Sequence, residues 1–357
     1  MILTLCLSTI CPIGVFAAVQ PELEISAPSA VLMEPSTGTV LYEKNGEEQR
    51  SPASITKIMT LLLIFEALED RQITLEEEAV TSAYAKSMGG SQVFLEEGEK
   101  QTVETLIKCI VVASGNDASV VMAEHLAGSE GEFVKKMNEK ARELGMVHTQ
   151  FEDCCGLTDS TGHYTTASDV AIASRELITR FPQALTYSSI WMENITHRTA
   201  QGEKEFCLTN TNKLIRSYDG CVGLKTGSTS VAKYCVSAVA KRGEVTLLAV
   251  IMGAPDPKVR FKDAATLLNY GFGICNLYLD ENQETPDPIP VKGGVKEEAA
   301  CKFAGEFRYL DTEGKNLSQI EKKLVYKKDL QAPVKKGETV GEAQYRLDGK
   351  VIGKTDI

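Results

Sequence analysis

Ser54 and Lys57 stand three residues apart at the head of an apolar run, Ile58-Met59-Thr60-Leu61-Leu62-Leu63-Ile64-Phe65. Residues three apart share a helix face. A serine at a helix start meets free backbone N–H groups and the positive end of the dipole, both of which favour developing negative charge. A lysine one turn further in, when dry and close to another cation, holds its proton weakly and can act as a base. The pair therefore has the makings of an acyl-transfer nucleophile and its base. A second Ser-x-x-Lys, Ser230 to Lys233, falls in strand-like sequence. Side chains three apart on a strand project to opposite faces, so that copy is set aside.

Two further stretches bear on the first. Ser114-Gly115-Asn116 lies between two predicted helices, and Lys225-Thr226-Gly227-Ser228-Thr229 lies at a predicted strand beside a hairpin. Each alone is ordinary: the one a helix stop and cap, the other a strand-end turn. Together with Ser54-x-x-Lys57 they occur in the order, and each in the local context, that marks penicillin-binding proteins and class A β-lactamases. The separations are 60 residues from Ser54 to Ser114 and 111 from there to Lys225.

Pro52 to Lys57, Ser114 to Asn116 and Gly223 to Gly227 resemble the low-molecular-mass penicillin-binding proteins that act as serine D-alanyl-D-alanine carboxypeptidases, peptidase family S11. Gly156-Leu157, His163 to Asp169 and Asn210 to Leu214 extend the resemblance, which runs from about residue 30 to 278. Ala332 to Gly337 is similar to the family's C-terminal β-sandwich. Two departures stand out. The middle motif is Ser-Gly-Asn rather than Ser-Asp-Asn, a form this family commonly has. The chain stops at Ile357 directly after a predicted strand, with no amphipathic anchoring helix visible, which leaves membrane association open.

The resemblance implies an α+β serine β-lactamase/transpeptidase-like domain, with an antiparallel sheet, packed helices and a helical subdomain, followed by a small all-β sandwich. It implies hydrolysis of peptidoglycan stem peptides ending in D-Ala-D-Ala, with β-lactams as covalent inhibitors and no cofactor or metal. Ser54 would be the acyl-ester nucleophile and Lys57 its base, neutral because it is buried near Lys225. Ser114 would relay a proton to the leaving D-Ala, and Asn116 would bind the substrate amide and orient Lys57. The Ser54 and Ser228 N–H groups would hold the oxyanion. Lys225, Thr226 and Thr229 would receive the substrate carboxylate, with Arg260 a further cation for it. Gly227 would let the substrate approach the strand closely. His163 has no task in a serine/lysine scheme and reads as packing at a helix start. A class A β-lactamase would need a glutamate to activate the deacylating water, and no Glu-x-x-Leu-Asn-like segment lies between Ser114 and Lys225. A binding-only sensor would come attached to a signalling segment, which is not visible.

The rest of the chain must position these residues. Its 357 residues leave room for two domains. The net charge of −11 excludes a basic nucleic-acid footprint. Residues 1–17 are apolar, with small residues Val15 and Ala17 at −3 and −1, and read as a signal peptide for export. An uncleaved anchor is the alternative. The catalytic domain is expected over 26–279, a linker over 280–290 and the β-sandwich over 291–357. Predicted helices cover Ile58–Leu68, Val103–Val112, Val120–Leu126, Glu132–Leu144, Val170–Ile178 and Phe261–Tyr270, the last ending at Gly271. Predicted hairpins join Ala30–Glu34 to Thr39–Glu43 and Tyr234–Ala240 to Val245–Met252. Ten cysteines occur without a Cys-x-x-Cys. The adjacent Cys154 and Cys155 tempt a metal or redox reading, but no histidine stands at ligand spacing beside them.

Overall fold

The computed structural model describes residues 23–357; the predicted signal peptide lies outside the described residues. The chain is α+β. Strands β1 (Ser29–Glu34) and β2 (Thr39–Lys44) open it. Helices α1 (Lys57–Glu69), α2 (Val103–Val111), α3 (Asn116–Ala127), α4 (Glu130–Glu143) and α5 (Ala167–Arg180) follow. A hairpin of β3 (Met192–Thr199) and β4 (Gly202–Thr209) leads to β5 (Cys221–Thr229), β6 (Lys233–Arg242) and β7 (Val245–Ala254), and then α6 (Pro257–Ile274).

Five strands form one antiparallel sheet in the order β2-β1-β7-β6-β5. Its central strand explains the layering. Leu248, Val250 and Met252 of β7 face the core that contains α1, while Leu247, Ala249 and Ile251 face the core that contains α6. Every second side chain thus goes to a different core, as strand geometry requires. A strand covered on both faces carries the continuous apolar run seen here.

Helix α1 is buried nearly all round: Ile58, Met59, Leu61, Leu62, Ile64 and Phe65 are each at most 2% exposed. It packs on α5, α3 and α2. Helix α3 begins at Asn116, four residues earlier than its apolar pattern suggests, because Asn116 and Asp117 are themselves buried. Thr166 caps α5 by accepting the Asp169 N–H at 3.0 Å, as its sequence indicates. Helix α6 runs past Gly271 to Ile274. A Cβ at Gly271 would stand 2.6 Å from Leu247, so this glycine is there for close packing on the sheet and does not end the helix.

Beyond α6 the chain is a sheet-rich unit with its own core, including Phe303, Phe307, Val340, Ala343 and Tyr345. Strand β8 (Asn276–Asp280) pairs with β9 (Phe307–Asp311), while β10 (Glu321–Tyr326), β11 (Gly341–Leu347) and β12 (Lys350–Asp356) form an antiparallel triplet. Asp348 and Gly349 both adopt positive φ between β11 and β12, the two-residue hairpin that Asp-Gly favours. Among the described residues no helix is long and apolar enough to cross a membrane.

Candidate active site

Ser54 sits in one turn of 3-10 helix, Ala53–Thr56, that feeds directly into α1. It is half-buried, whereas Lys57 is fully buried. The Lys57 Nζ lies 3.0 Å from Ser54 Oγ, 2.6 Å from Asn116 Oδ1 and 2.7 Å from the Cys155 carbonyl. Burial lowers its pKa, against the pull of the acidic groups around it.

The Cys155 carbonyl is aimed by Asp153. That carboxylate accepts the N–H groups of Cys155 at 2.8 Å, Leu157 at 3.0 Å and Thr158 at 2.7 Å, and also that of Gly156. Gly156 holds φ at +74°, and a Cβ there would stand 1.8 Å from the Ala53 carbonyl. The loop therefore lies directly on the Ser54 turn. Thr60 Oγ1 donates to the Cys154 carbonyl and fixes the preceding peptide.

Ser114 takes a positive φ of 62° in the short link between α2 and α3. Its Oγ accepts a hydrogen bond from Lys225 Nζ at 2.8 Å. Asn116 is tied down by three contacts: its N–H to Ser91 O, its Nδ2 to Gly89 O, and its Oδ1 to Lys57. Asp117 accepts the Val93 and Leu95 N–H groups, pinning the segment that lines this side.

Strand β5 supplies the opposite wall. Lys225 is buried and donates to Ser114 Oγ and to the Thr226 carbonyl. Its pKa falls well below that of a free lysine, mainly through burial and then through the positive charges of Lys57 and Arg260. Thr226 Oγ1 donates to Thr211 Oγ1 at 2.7 Å. A Cβ on Gly227 would lie 2.9 Å from Ile55 N, Pro52 O and Ser54 N. Its missing side chain brings β5 against the backbone of the Ser54 turn, a close approach additional to the one expected for substrate. Ser228 is exposed beyond it.

Two expected carboxylate-binding groups already have partners. Thr229 Oγ1 donates to Asp159 Oδ1 at 2.7 Å. Arg260 donates from behind the strand to the carbonyls of Gly227 at 3.1 Å and Cys235 at 3.3 Å, with its plane near Phe261 and Tyr234. The structure gives Arg260 a bracing contact with β5. The second Ser-x-x-Lys falls in the hairpin turn between β5 and β6, with Ser230 and Lys233 both exposed and neither bonded to the Ser54 group. His163 is buried. Its Nδ1 accepts the Glu152 N–H at 3.0 Å, so the Nε2–H donates to Thr56 Oγ1 at 2.8 Å, and burial lowers its pKa. It stabilises the turn, as expected from the sequence.

The structure thus brings together two hydrogen-bonded groups, Ser54–Lys57–Asn116 and Ser114–Lys225, close enough that the charge of Lys57 acts on Lys225, with Thr226 to Thr229 continuing β5 beyond Lys225. A family model described as D-alanyl-D-alanine carboxypeptidase matches residues 15–256, and one described as penicillin-binding protein 5, C-terminal domain, matches 279–357. The chain belongs to the D-alanyl-D-alanine carboxypeptidase family. It is 41% identical over 337 residues to D-alanyl-D-alanine carboxypeptidase DacF of Bacillus subtilis, covering 94% of this chain and 85% of that one. It is 32% identical to DacC of Escherichia coli, with 94% and 85% covered. Penicillin-binding protein 5 of Haemophilus influenzae superposes with a TM-score of 0.77 at 29% identity, over 95% of this chain and 97% of that one.

In this carboxypeptidase several supporting groups carry no signal in the motifs. Asp153, Asp117, Thr211 and the Cys155 carbonyl all act through backbone or through a neighbour. Only the Gly156-Leu157 and Asn210 to Leu214 stretches, which resemble the family, point to where two of them lie.

Proposed function

We propose that the protein is an exported serine carboxypeptidase that removes the terminal D-Ala from peptidoglycan stem peptides through a Ser54 acyl-enzyme. The observation that carries this reading is the Lys57 Nζ with its three partners. An amine has two N–H bonds and one lone pair. With both N–H groups given to Asn116 Oδ1 and Cys155 O, the lone pair is left for the Ser54 hydroxyl. That is the arrangement of a nucleophile and its base.

Ser54 Oγ attacks the penultimate carbonyl as its proton passes to Lys57. The Ser54 and Ser228 N–H groups receive the oxyanion, each contributing about 3 kcal/mol. Collapse breaks the peptide bond. Ser114, whose oxygen accepts from Lys225, relays a proton: its O–H passes to the departing amine, and the proton that Lys57 took from Ser54 replaces it, which returns Lys57 to the neutral amine. Asn116 holds Lys57 and the substrate amide. Lys225 and Thr226 face the terminal carboxylate, joined by Thr229 once Asp159 is displaced. Arg260 acts behind Gly227. Water then hydrolyses the ester. Residues 26–279 would form the catalytic unit, 280–290 a linker and 291–357 a β-sandwich, acting outside the membrane after loss of residues 1–17.

A β-lactamase reading is disfavoured: among the described residues no carboxylate is hydrogen-bonded to Ser54, Lys57, Ser114 or Lys225. A β-lactam should acylate Ser54 and stay. The test is D-Ala release from a diacylated peptide ending in D-Ala-D-Ala, alongside retention of labelled penicillin. Wild type is expected to do both and Ser54→Ala neither. Release by Ser54→Ala, or none by wild type, overturns the reading; rapid penicillin turnover indicates a lactamase.

A further inference from the structure

Behind the catalytic lysine the fold assembles a group that the motifs do not use. Cys154 and Cys155 are both fully buried, and Glu130, the first residue of α4, reaches them from 24 residues upstream. Two thiol sulfurs and a carboxylate oxygen all lie within 4.8 Å of one another. Glu130 accepts the Cys154 N–H at 3.0 Å and the Tyr84 O–H. Tyr84 is 50% exposed and Glu130 partly so, which gives the cluster a polar entrance from solvent. The sequence shows the adjacent cysteines but no third ligand, because that ligand comes from a separate helix.

We infer that Glu130, Cys154 and Cys155 form a binding site for a soft, thiophilic divalent cation of the zinc class. Two thiolates and a carboxylate are the donor types such ions select. Charge favours the exchange. Two thiols and one carboxylate carry −1; two thiolates, one carboxylate and a dication also carry −1. Two S–H bonds break, two metal–sulfur bonds form, and two protons leave for solvent, so the buried charge does not grow.

The site is coupled to the active centre through one peptide. The sulfur of Cys155 would bind the ion, while its carbonyl accepts from Lys57 Nζ. Binding therefore shifts or stiffens the group that positions Lys57. This coupling rests on the proposed function; the binding itself does not.

The experiment uses the reduced, metal-free full chain titrated with Cd²⁺ as probe. One ion per chain is expected, with sulfur-to-cadmium charge-transfer absorption in the ultraviolet and release of two protons. Zn²⁺ should displace it. Cys154→Ser should lose the absorption, while Cys207→Ser, which removes an exposed thiol elsewhere, should keep it. Retention by Cys154→Ser, loss in Cys207→Ser, or failure of Zn²⁺ to compete overturns the site. Acylation by labelled penicillin reports that a variant is folded. If Cys154→Ser is not, Glu130→Gln, which preserves the shape and can still accept the Cys154 N–H while its NH₂ donates to Tyr84 Oη, should bind Cd²⁺ about tenfold more weakly; unchanged affinity overturns the site. Bound Cd²⁺ should slow acylation of wild type at least about threefold; an unchanged rate overturns the coupling alone.

Discussion

The role proposed for Lys57 depends on its being an amine, which makes its replacement by arginine informative. Arginine keeps the bulk and the donors but not the ability to give up a proton. Lys57→Arg is expected to lower Ser54 acylation by about 10³-fold, within the range for a lost general base. Stopped-flow penicillin acylation and D-Ala release measure this. In wild type, activity should rise with pH on its acid limb as Lys57 loses its proton. The midpoint should lie below the usual lysine value of about 10.4, because burial lowers the pKa. An acid limb centred at the ordinary lysine value would contradict the base assignment. Lys225 supplies the stability counterpart. Its folded pKa is well below that of the unfolded chain. Between the two values the unfolded state holds a proton that the folded state lacks, so this group adds stability as pH rises towards about 10.4 and opposes folding below that window. Buried tyrosines and thiols pull the other way at alkaline pH, so the difference between variants is the quantity to read. Lys225→Met should raise Tm at pH 7, abolish D-Ala release, and show a smaller advantage over wild type at pH 9.5 than at pH 7. An advantage that grows with pH would be inconsistent with a lowered Lys225 pKa.

At the scale of elements, the Ser54 turn is clamped between a loop and a strand, each through a glycine. Gly156 combines a positive φ with a backbone carbonyl 1.8 Å from where a Cβ would be. Gly128, at the end of α3, has φ +78° but nothing within 4 Å. Gly128→Ala should therefore cost only the left-handed penalty, about 1 kcal/mol. Gly156→Ala should cost at least about 2 kcal/mol and reduce acylation at least about 100-fold, because Cys155 O and Ser54 must move together. Chemical denaturation and acylation rates on both variants check this; equal effects would show that contact with the Ser54 turn is immaterial. The same contrast explains what was legible in the sequence. Ser54, Lys57, Ser114 and Lys225 are legible because they are reactive side chains in motifs whose order is shared with a family. The residues that aim them do so through backbone. Asp153 gathers four N–H groups of its own loop, and nothing in Glu-Asp-Cys-Cys-Gly-Leu marks that. Gly227 is legible as a close approach, but its packing on the Ser54 turn is not. The apolar pattern puts the start of α3 too late because Asn116 and Asp117 are polar residues buried for their bonds, and hydrophobic periodicity does not register such residues. The sequence ends α6 at Gly271 for the converse reason: a glycine that packs on Leu247 looks like a stop.

At the scale of the molecule, the site draws only on residues up to α6. The cores on either side of the large sheet are built from residues 23–275, with Leu310 their one apolar neighbour from the C-terminal unit. The C-terminal unit has a separate core, in which Phe307 stacks on Tyr345 at 3.8 Å. Within that unit Lys322 is salt-bridged to Asp280 and Glu284, and its Nζ lies 4.1 Å from the centre of the Phe303 ring. Units with distinct cores fold separately. A chain ending after Cys275 should therefore keep penicillin acylation within about threefold of the full chain, since Ser54, Lys57, Ser114, Asn116 and Lys225 retain every hydrogen bond described for them. The full chain should unfold calorimetrically in two transitions, and only the one assigned to the catalytic unit should move to higher temperature after penicillin acylation. One cooperative transition, or loss of acylation on truncation, would mean that the strand pairing of β8 with β9 is needed to hold α6, and through Arg260 the strand that carries Lys225.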